Sequence, residues 1–309
     1  VDGAQHLGCP ARREHRSLVA EIQRRDLLYM YVTVNGARLF FDVEGAKLVA
    51  DGPSMHERPT LILLHGGPGF DHSSYKPSFS VLSDVAQLVY FDHRGQGRSD
   101  TGDPRDWTLA QWADDVRGLC DALGIEKPIV FGQSFGGTVA MAYAARHPDH
   151  PGKLVFSSGE ARPDVELTLR RIEELGGAEA AVAARRMWET PGLEALPDYL
   201  RLVAPLYNRA PQDPHADART RLALDVLFHF ARGEGRTMDL HPGLANVRCP
   251  TLVLGGELDP VCPIELQAEI AAALPAQHVR FERFAGCGHG VFRDDPERGF
   301  AVIRAFIAG

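Results

Sequence analysis

The stretch that decides the fold is Pro128-Ile129-Val130-Phe131-Gly132-Gln133-Ser134-Phe135-Gly136-Gly137. Its apolar run at 129–131 is bounded by a proline and a glycine, which predicts a strand buried on both faces of a parallel sheet. The following residues, Thr138 to Arg146, are rich in helix formers and stop before His147-Pro148, which predicts a helix. One serine therefore lies at a turn from strand to helix.

That turn has the Gly-x-Ser-x-Gly pattern of a nucleophile elbow. Glycine at positions 132 and 136 removes Cβ atoms that would collide in a strained turn. Ser134 can then project its hydroxyl above the sheet, next to the positive end of a helix. Because the pattern also arises by chance, a catalytic interpretation depends on partners elsewhere in the chain.

Composition and net charge limit the possible domain organisation and partners, but they do not identify the function. The chain has 309 residues, 44% hydrophobic and 24% charged, which suits one large α/β domain with an insertion or two small domains. A formal net charge of -8 argues against a nucleic-acid or anionic-membrane surface. No apolar stretch approaches the roughly 20 residues that span a bilayer. We expect a soluble, cytoplasmic protein with a small-molecule substrate and no nucleic-acid or membrane partner; the oligomeric state stays open.

The five cysteines are scattered and include no C-x-x-C pair. They indicate neither a disulfide framework nor a zinc site, so we expect no metal. Cys287 lies two residues before His289, but nothing around it resembles an elbow. We interpret Cys287 as a small loop residue.

The first 29 residues differ from the rest of the chain. They carry five arginines and no lysine, and they lack the apolar segment of a secretory signal. Our hypothesis is that Met30 is the natural start and that residues 1–29 are a leader or a mobile extension. The alternative is a weak amphipathic helix from Glu14 to Tyr29.

Strand and helix signals then alternate. Alternating apolar residues on either side of Asn35-Gly36 predict a β-hairpin at an antiparallel edge, and residues 45–59 are predicted to be irregular. The alternation predicts a mostly parallel, doubly wound sheet. Further strands are expected at 61–64, 88–91, 153–156, 251–254 and 279–281, and helices at 109–123 and 264–274.

Strand signals vanish between Glu160 and Gly243. This segment is charged and helical, and five of its prolines are expected to break it into short helices, those at 191, 197, 205, 211 and 214. An all-helical insertion between strands predicts a cap over the carboxyl ends of the sheet, where ligands bind. The predicted organisation is a core in two parts, 30–159 and 244–309, with a cap at 160–243. Most cap aromatics should pack in the core, with one or two facing the pocket.

A glycine-rich loop, His65-Gly66-Gly67-Pro68-Gly69, follows the strand at 61–64. It lacks the Lys-Ser/Thr ending of a P-loop and the spacing of a dinucleotide fingerprint, which disfavours nucleotide binding. Acyl transfer creates a negative oxygen that needs two preorganised N–H donors. We predict an oxyanion hole formed by the amides of Gly67 and Phe135, with His65 in a structural role.

An acid and a base follow two later strands. Asp259 comes after the strand at 251–254, and His289 comes after the strand at 279–281. The chain order Ser134, Asp259, His289 is the order that α/β-hydrolases use. Three loops at strand ends thus predict a catalytic triad. Asp92, which also ends a strand, is interpreted as a residue that orders its own loop.

Two loops carry a resemblance to a known family. Over residues 30–309 the chain resembles the α/β-hydrolase superfamily, and HGGPG at 65–69 with DHRGQGRS at 92–99 is similar to its proline iminopeptidase branch. In that branch the second loop typically reads DQRGxGxS, and glutamates hold the free amino group of an N-terminal proline. The resemblance places those glutamates directly after the catalytic Asp and in the cap, where this chain has Pro260 and Phe228.

These observations predict a serine hydrolase that needs no cofactor and acts on small neutral esters or lactones. Phe228, Pro260 and Trp188 are candidate pocket residues. One alternative is a proline iminopeptidase, in which Glu160, Glu166, Glu189 or Glu234 would supply the missing charge. The other is a ligand-binding protein of the same fold without catalysis.

Overall fold

The structure, a computed structural model, describes residues 31–211 and 213–309. The interpretation of residues 1–29, with Met30 as the start, lies outside the described residues. The chain enters the described region as a hairpin of β1 (Tyr31–Val34) and β2 (Ala37–Glu44). Asn35 and Gly36 have φ angles of 48° and 77°, the positive values that a tight hairpin turn requires. The predicted hairpin is confirmed.

A second, small hairpin follows where an irregular segment was predicted. Strands β3 (Leu48–Asp51) and β4 (Ser54–Glu57) pair antiparallel around Gly52. The prediction for 45–59 was wrong because almost every side chain of this hairpin is exposed, so no apolar alternation marks it.

The main sheet has eight strands in the order β1-β2-β6-β5-β7-β8-β9-β10. From β6 to β10 along this order all neighbours are parallel, whereas β2 pairs antiparallel with both β1 and β6. The predicted mostly parallel sheet with an antiparallel N-terminal hairpin is confirmed. The later strands are β5 (Thr60–Leu64), β6 (Gln87–Phe91), β7 (Ile129–Gln133), β8 (Lys153–Ser157), β9 (Thr251–Gly256) and β10 (Val279–Phe284).

Apolar layers cover both faces of the sheet. Along β5, Ile62 and Leu64 belong to one buried cluster, whereas Leu61 and Leu63 belong to the other. Side chains of successive strand residues point to opposite faces, so a strand buried on both faces reads as a continuous apolar run. This explains why the central strands could be recognised from the sequence.

The core helices begin and end close to the predicted residues. Helix α1 (Leu109–Leu123) has the predicted bounds, with Thr108 as its N-cap. Helix α2 (Phe135–Arg146) starts three residues earlier than predicted. After the insertion described next come α8 (Ile264–Ala273), α9 (Val291–Asp294) and α10 (Pro296–Ala308).

The segment 160–243 contains helices and no strand among its described residues. Its first helix, α3, is 25 residues long and kinks at Gly177, so the prediction of short helices throughout was wrong. The five prolines all follow this helix, and they begin or interrupt only the later ones. The helices are α3 (Val165–Glu189), α4 (Leu196–Leu202), α5 (Ala216–Arg219), α6 (Leu224–Arg232) and α7 (His241–Leu244).

The helical segment contacts the carboxyl ends of the strands. Gly69, in the loop after β5, accepts a 2.7 Å hydrogen bond from the Ala223 amide at the start of α6. A Cβ at Gly69 would lie 2.8 Å from the Ala223 oxygen, so only glycine permits this approach. None of the described helices is both long and apolar enough to cross a membrane.

Candidate active site

The predicted site residues lie at one edge of the sheet. Gly67 follows β5, Ser134 follows β7, Asp259 follows β9 and His289 follows β10. The carboxyl ends of parallel strands share an edge, which is where open α/β sheets bind ligands. The topology therefore brings together loops that are far apart in sequence.

Ser134 has a strained backbone. Its φ and ψ are 57° and -125°, a conformation that residues other than glycine rarely adopt. A Cβ at Gly132 would lie 2.1 Å from the Gly136 oxygen, and a Cβ at Gly136 would lie 1.9 Å from the Leu64 oxygen. Both glycines are therefore required by close backbone contacts, and the turn has the geometry of a nucleophile elbow.

His289 and Asp259 form a buried pair. His289 Nδ1 lies 2.9 Å from Asp259 Oδ2, and the two residues are 5% and 0% exposed. The other carboxylate oxygen, Oδ1, accepts the amides of Val261 and Cys262, each at 2.9 Å. The acid is thus fixed on one side by its own loop, which leaves Oδ2 to orient the imidazole.

One contact links the histidine loop to the elbow. The side-chain amide of Gln133, next to Ser134, donates to the His289 carbonyl at 3.2 Å. Within the part of the chain that the structure describes, Ser134 Oγ has no hydrogen-bond partner. Catalytic hydrogen bonds are often long without substrate and tighten in the complex, so this geometry is compatible with a triad.

The loop of the predicted oxyanion hole lies against the elbow. Gly67 has φ 126°, and a Cβ on Gly66 would lie 3.4 Å from the Cβ of Ser134. Phe135 is the first residue of α2, where backbone N–H groups have no acceptor inside the helix. The Gly69 amide donates to Gln96 Oε1 at 2.6 Å, which holds the loop from the side of β6.

His65 orders this loop. Its Nε2 accepts the His93 amide at 3.1 Å, so Nδ1 carries the proton and donates to the Gly66 carbonyl at 2.8 Å. Burial lowers the pKa of His65, which keeps the ring neutral. Both ring nitrogens are engaged, and these contacts fit the structural role that was predicted for His65.

The carboxylate of Asp92 has hydrogen-bond partners other than His289. Its Oδ1 lies 2.7 Å from His72 Nδ1, and its Oδ2 accepts the Arg98 amide at 2.8 Å. Burial alone would raise the pKa of Asp92, but the bonds from His72 outweigh it and the pKa is lowered. These contacts fit the predicted role of ordering its own loop. Burial raises the pKa of the Cys287 thiol to about 11, which fits an unreactive loop residue.

The three candidate pocket residues are not brought together. Phe228 is buried and lines a cavity of about 900 Å³ between α3 and α6, whose lining among the described residues includes none of Ser134, Asp259 or His289. The half-buried Trp188 stacks under the guanidinium of Arg236, 4.9 Å from its ring centroid. Pro260 is buried in the acid loop, directly beside Asp259.

Part of the surroundings of the predicted triad could not be foreseen from the sequence. The hydroxyls of Tyr199 and Tyr207 lie 2.6 Å apart, and the Tyr207 carbonyl accepts the His289 amide at 2.6 Å. Asp294 accepts amides from both sides of this contact. No motif marks these residues, because their role depends on a contact between segments about 80 residues apart.

Glu160 is a second carboxyl group beside the acid. It is half-buried at the end of β8, where Thr138 Oγ1 donates to its carbonyl at 2.9 Å. Burial and the nearby carboxylates of Asp259 and Asp164 raise its pKa to about 7. Among the described residues, no side chain or amide donates to its carboxyl group, and no group of three or more His, Cys, Asp or Glu residues could hold a metal.

Comparison with known proteins gives this geometry a family context. A family model described as alpha/beta hydrolase fold matches residues 59–296. One relative, named as a candidate carbamate hydrolase RutD in Caulobacter sp. (strain K31), is 30% identical over 283 residues, which cover 90% of this chain and 97% of the relative.

Two further comparisons involve proline iminopeptidases. The enzyme of that name from Lactobacillus helveticus is 28% identical over 276 residues, covering 81% of this chain and 90% of the relative. The crystal structure of proline iminopeptidase from Mycobacterium smegmatis superimposes with a TM-score of 0.70 at 24% identity, covering 90% of this chain and 97% of that one. At that identity the structural likeness concerns the fold alone.

Proposed function

Because the chain belongs to the alpha/beta hydrolase fold family and is a hydrolase, we propose that it works through Ser134 as a serine hydrolase on small neutral esters or lactones. The observation that carries the proposal is the buried His289–Asp259 hydrogen bond at 2.9 Å. This pair lies at the same sheet edge as the strained serine, and Gln133 links the two loops. A serine, a histidine and an orienting acid are the parts of a catalytic triad.

The proposed mechanism follows from these parts. His289 takes the proton from Ser134 as the serine oxygen attacks the carbonyl carbon, and Asp259 stabilises the imidazolium that results. The amides of Gly67 and Phe135 bind the negative oxygen of the tetrahedral intermediate. When the intermediate collapses, His289 returns the proton to the leaving alcohol, and water then repeats the sequence on the acyl-enzyme.

Support for a neutral substrate comes from the positions of the acidic residues. Three of the four glutamates that could serve an aminopeptidase have other roles or surroundings. Glu166 pairs with Arg185 at the surface, Glu189 is exposed, and Glu234 accepts the amide of Leu109 at 2.8 Å. A buried ammonium without a carboxylate is costly, so a pocket without such a partner favours neutral acyl groups.

Glu160 favours a second candidate function. It is the one remaining glutamate of the four, and it lies half-buried near Asp259 with its carboxyl group free to accept a hydrogen bond from a ligand. A substrate with a protonated amine would gain a charged partner there, and binding would draw Glu160 into its ionised form. This candidate is a proline iminopeptidase that uses Glu160 in place of the glutamates at the positions of Pro260 and Phe228.

A panel of substrates tests both candidates. We propose kcat/KM measurements with p-nitrophenyl butyrate, an acyl homoserine lactone, a carbamate, proline p-nitroanilide and its N-acetyl analogue. The primary proposal predicts hydrolysis of the ester or lactone above that of the free-amine anilide, and loss of all turnover in Ser134→Ala. A free-amine substrate preferred over its acetylated analogue, with the preference lost in Glu160→Gln, would establish the second candidate instead.

The same panel addresses a ligand-binding protein without catalysis. In that case a folded wild type would hydrolyse none of the substrates, and Ser134→Ala would behave like the wild type. Glu166→Gln is the matched control for Glu160→Gln, because Glu166 is an exposed glutamate at the start of α3. It should leave every kcat/KM value unchanged.

A further inference from the structure

The loop that carries His289 has little rigidity of its own. Positions 286, 288 and 290 are glycines, and Gly286 has φ 79°. Glycine leaves the backbone more conformational freedom than any other residue. The position of the imidazole must therefore be set by contacts from outside the loop.

One of these contacts comes from the helical segment. The Tyr207 carbonyl accepts the His289 amide at 2.6 Å, and the two rings meet edge to face with centroids 5.2 Å apart. A Cβ at Gly288 would lie 2.2 Å from the Tyr207 oxygen, so this approach requires glycine beside the histidine. Tyr207 thus contacts His289 through both backbone and ring.

The carboxylate of Asp294 joins the two segments that meet here. Its Oδ1 accepts the amides of Arg209 and Ala210, each at 2.9 Å, and its Oδ2 accepts the amide of Gly288 at 2.7 Å. Hydrogen bonds to an ionised carboxylate are stronger than those between neutral groups. Asp294 therefore connects residues 209–210 with Gly288, which lie next to the Tyr207–His289 contact in the two segments.

We infer that Asp294 is a positioning residue for His289. It clamps segment 207–210 to loop 285–290, and the clamp sets the imidazole relative to Asp259 and Ser134. The inference rests on the proposed function in that His289 acts as the base. A consequence is that the helical segment and the base move together, so that the placement of the cap controls turnover.

Hydrogen exchange followed by mass spectrometry tests the clamp without any substrate. In Asp294→Ala, amides in both 207–210 and 285–290 should exchange at least about tenfold faster than in the wild type. In Asp294→Asn the side chain keeps one acceptor oxygen, so one of the two segments should stay protected. The matched control is Asp295→Ala, which removes the neighbouring carboxylate that caps α10 and should leave both segments unchanged.

Steady-state kinetics on the best substrate of the panel test the consequence for the base. Asp294→Ala should lower kcat by about ten- to a hundredfold with little change in KM, since small misplacements of a catalytic group cost rates of that order. The kcat of Asp294→Asn should lie between those of Asp294→Ala and the wild type. Asp295→Ala should keep the wild-type kcat.

The outcomes separate the clamp from the proposed function. Unchanged exchange at either segment in folded Asp294→Ala, or faster exchange with an unchanged kcat, would overturn the inference. If the alanine variant does not fold, Asp294→Asn decides: faster exchange in at least one segment with a lowered kcat supports the clamp, and unchanged exchange in both segments, or an unchanged kcat, overturns it. A wild type without Ser134-dependent turnover would refute the proposed function, while the exchange of the two segments would still decide whether Asp294 joins them.

Discussion

Asp259 illustrates how single atoms define the proposed chemistry. Its two carboxylate oxygens have separate partners, with Oδ1 held by the amides of Val261 and Cys262 and Oδ2 facing His289 Nδ1. This division fixes which imidazole nitrogen carries the proton. The other nitrogen, Nε2, is then available to accept the serine proton.

Replacing Asp259 by Asn tests this division of roles. The amide oxygen can still accept the two loop amides, so the fold should be kept, but the NH₂ group would face Nδ1. The imidazole would then be forced into the wrong tautomer, and kcat should fall by about 10⁴, the loss found for such a change in a comparable triad. The measurement is steady-state hydrolysis of the best ester or lactone.

Asp92→Asn is the matched control for this variant. Asp92 is equally buried but bonds to His72 and Arg98, so its replacement should lower stability by a few kcal/mol while kcat of the folded enzyme is retained. Near-normal turnover in Asp259→Asn, or a larger loss of kcat in Asp92→Asn, would place the acid elsewhere.

At the elbow, β7 and α2 pack tightly against the end of β5, and glycine residues make this close packing possible. Gly136 lies so close to the end of β5 that a Cβ would be 1.9 Å from the Leu64 carbonyl oxygen. Gly136→Ala should therefore destabilise the protein by more than about 4 kcal/mol or prevent folding, because backbone atoms on both sides would have to move. Urea unfolding measures the effect.

The matched control is Gly192→Ala. A Cβ there would lie 3.2 Å from the end of the Arg232 side chain and at an ordinary contact distance of 3.9 Å from the Thr190 oxygen. The expected change in the free energy of unfolding is within about 0.5 kcal/mol. A Gly136→Ala variant as stable as this control would contradict the packing described for the elbow.

Elements that cover the core could be predicted from the sequence, and exposed ones could not. The continuous apolar run of β5 and the caps of α1 mark those elements within about a residue of their observed ends. The β3–β4 hairpin was not predicted because almost all of its side chains are exposed, which leaves no apolar pattern in the sequence. The start of α2 was placed late because the run of helix formers begins only at Thr138, whereas the glycines at 136 and 137 belong to the helix and pack closely.

The same contrast holds for the site. Ser134, Asp259 and His289 were predicted because each follows a strand in a recognisable loop. Asp294 and Tyr207 act through backbone contacts between distant segments, which leave no pattern in either segment. Phe228 was selected through the family resemblance and Trp188 as a cap aromatic, and Phe228 lines a cavity whose described lining includes none of the predicted triad residues.

For the whole molecule, Glu160 links stability to pH. Its pKa is raised from 4.5 to about 7 in the folded protein, so between these values the native state binds more protons than the unfolded state. The free energy of unfolding therefore falls as pH rises through this range, and the full penalty is present above about pH 7.

Glu160→Gln should remove that penalty. Relative to the wild type, the variant should be no more stable below pH 4.5 and more stable by on the order of 1–3 kcal/mol above pH 7. Thermal unfolding over pH 4 to 9 measures the difference, and Glu166→Gln is the surface control with no such trend. A difference between Glu160→Gln and the wild type that does not grow with pH would contradict the raised pKa.

All of the proposed chemistry depends on Ser134 as the nucleophile. The most direct measurement is mass spectrometry of the protein after reaction with a fluorophosphonate probe, which phosphonylates an activated serine. We expect one adduct on the peptide that contains Ser134 and no adduct on folded Ser134→Ala. A folded wild type that remains unlabelled, or an adduct that maps to another residue, would show that Ser134 is not the nucleophile.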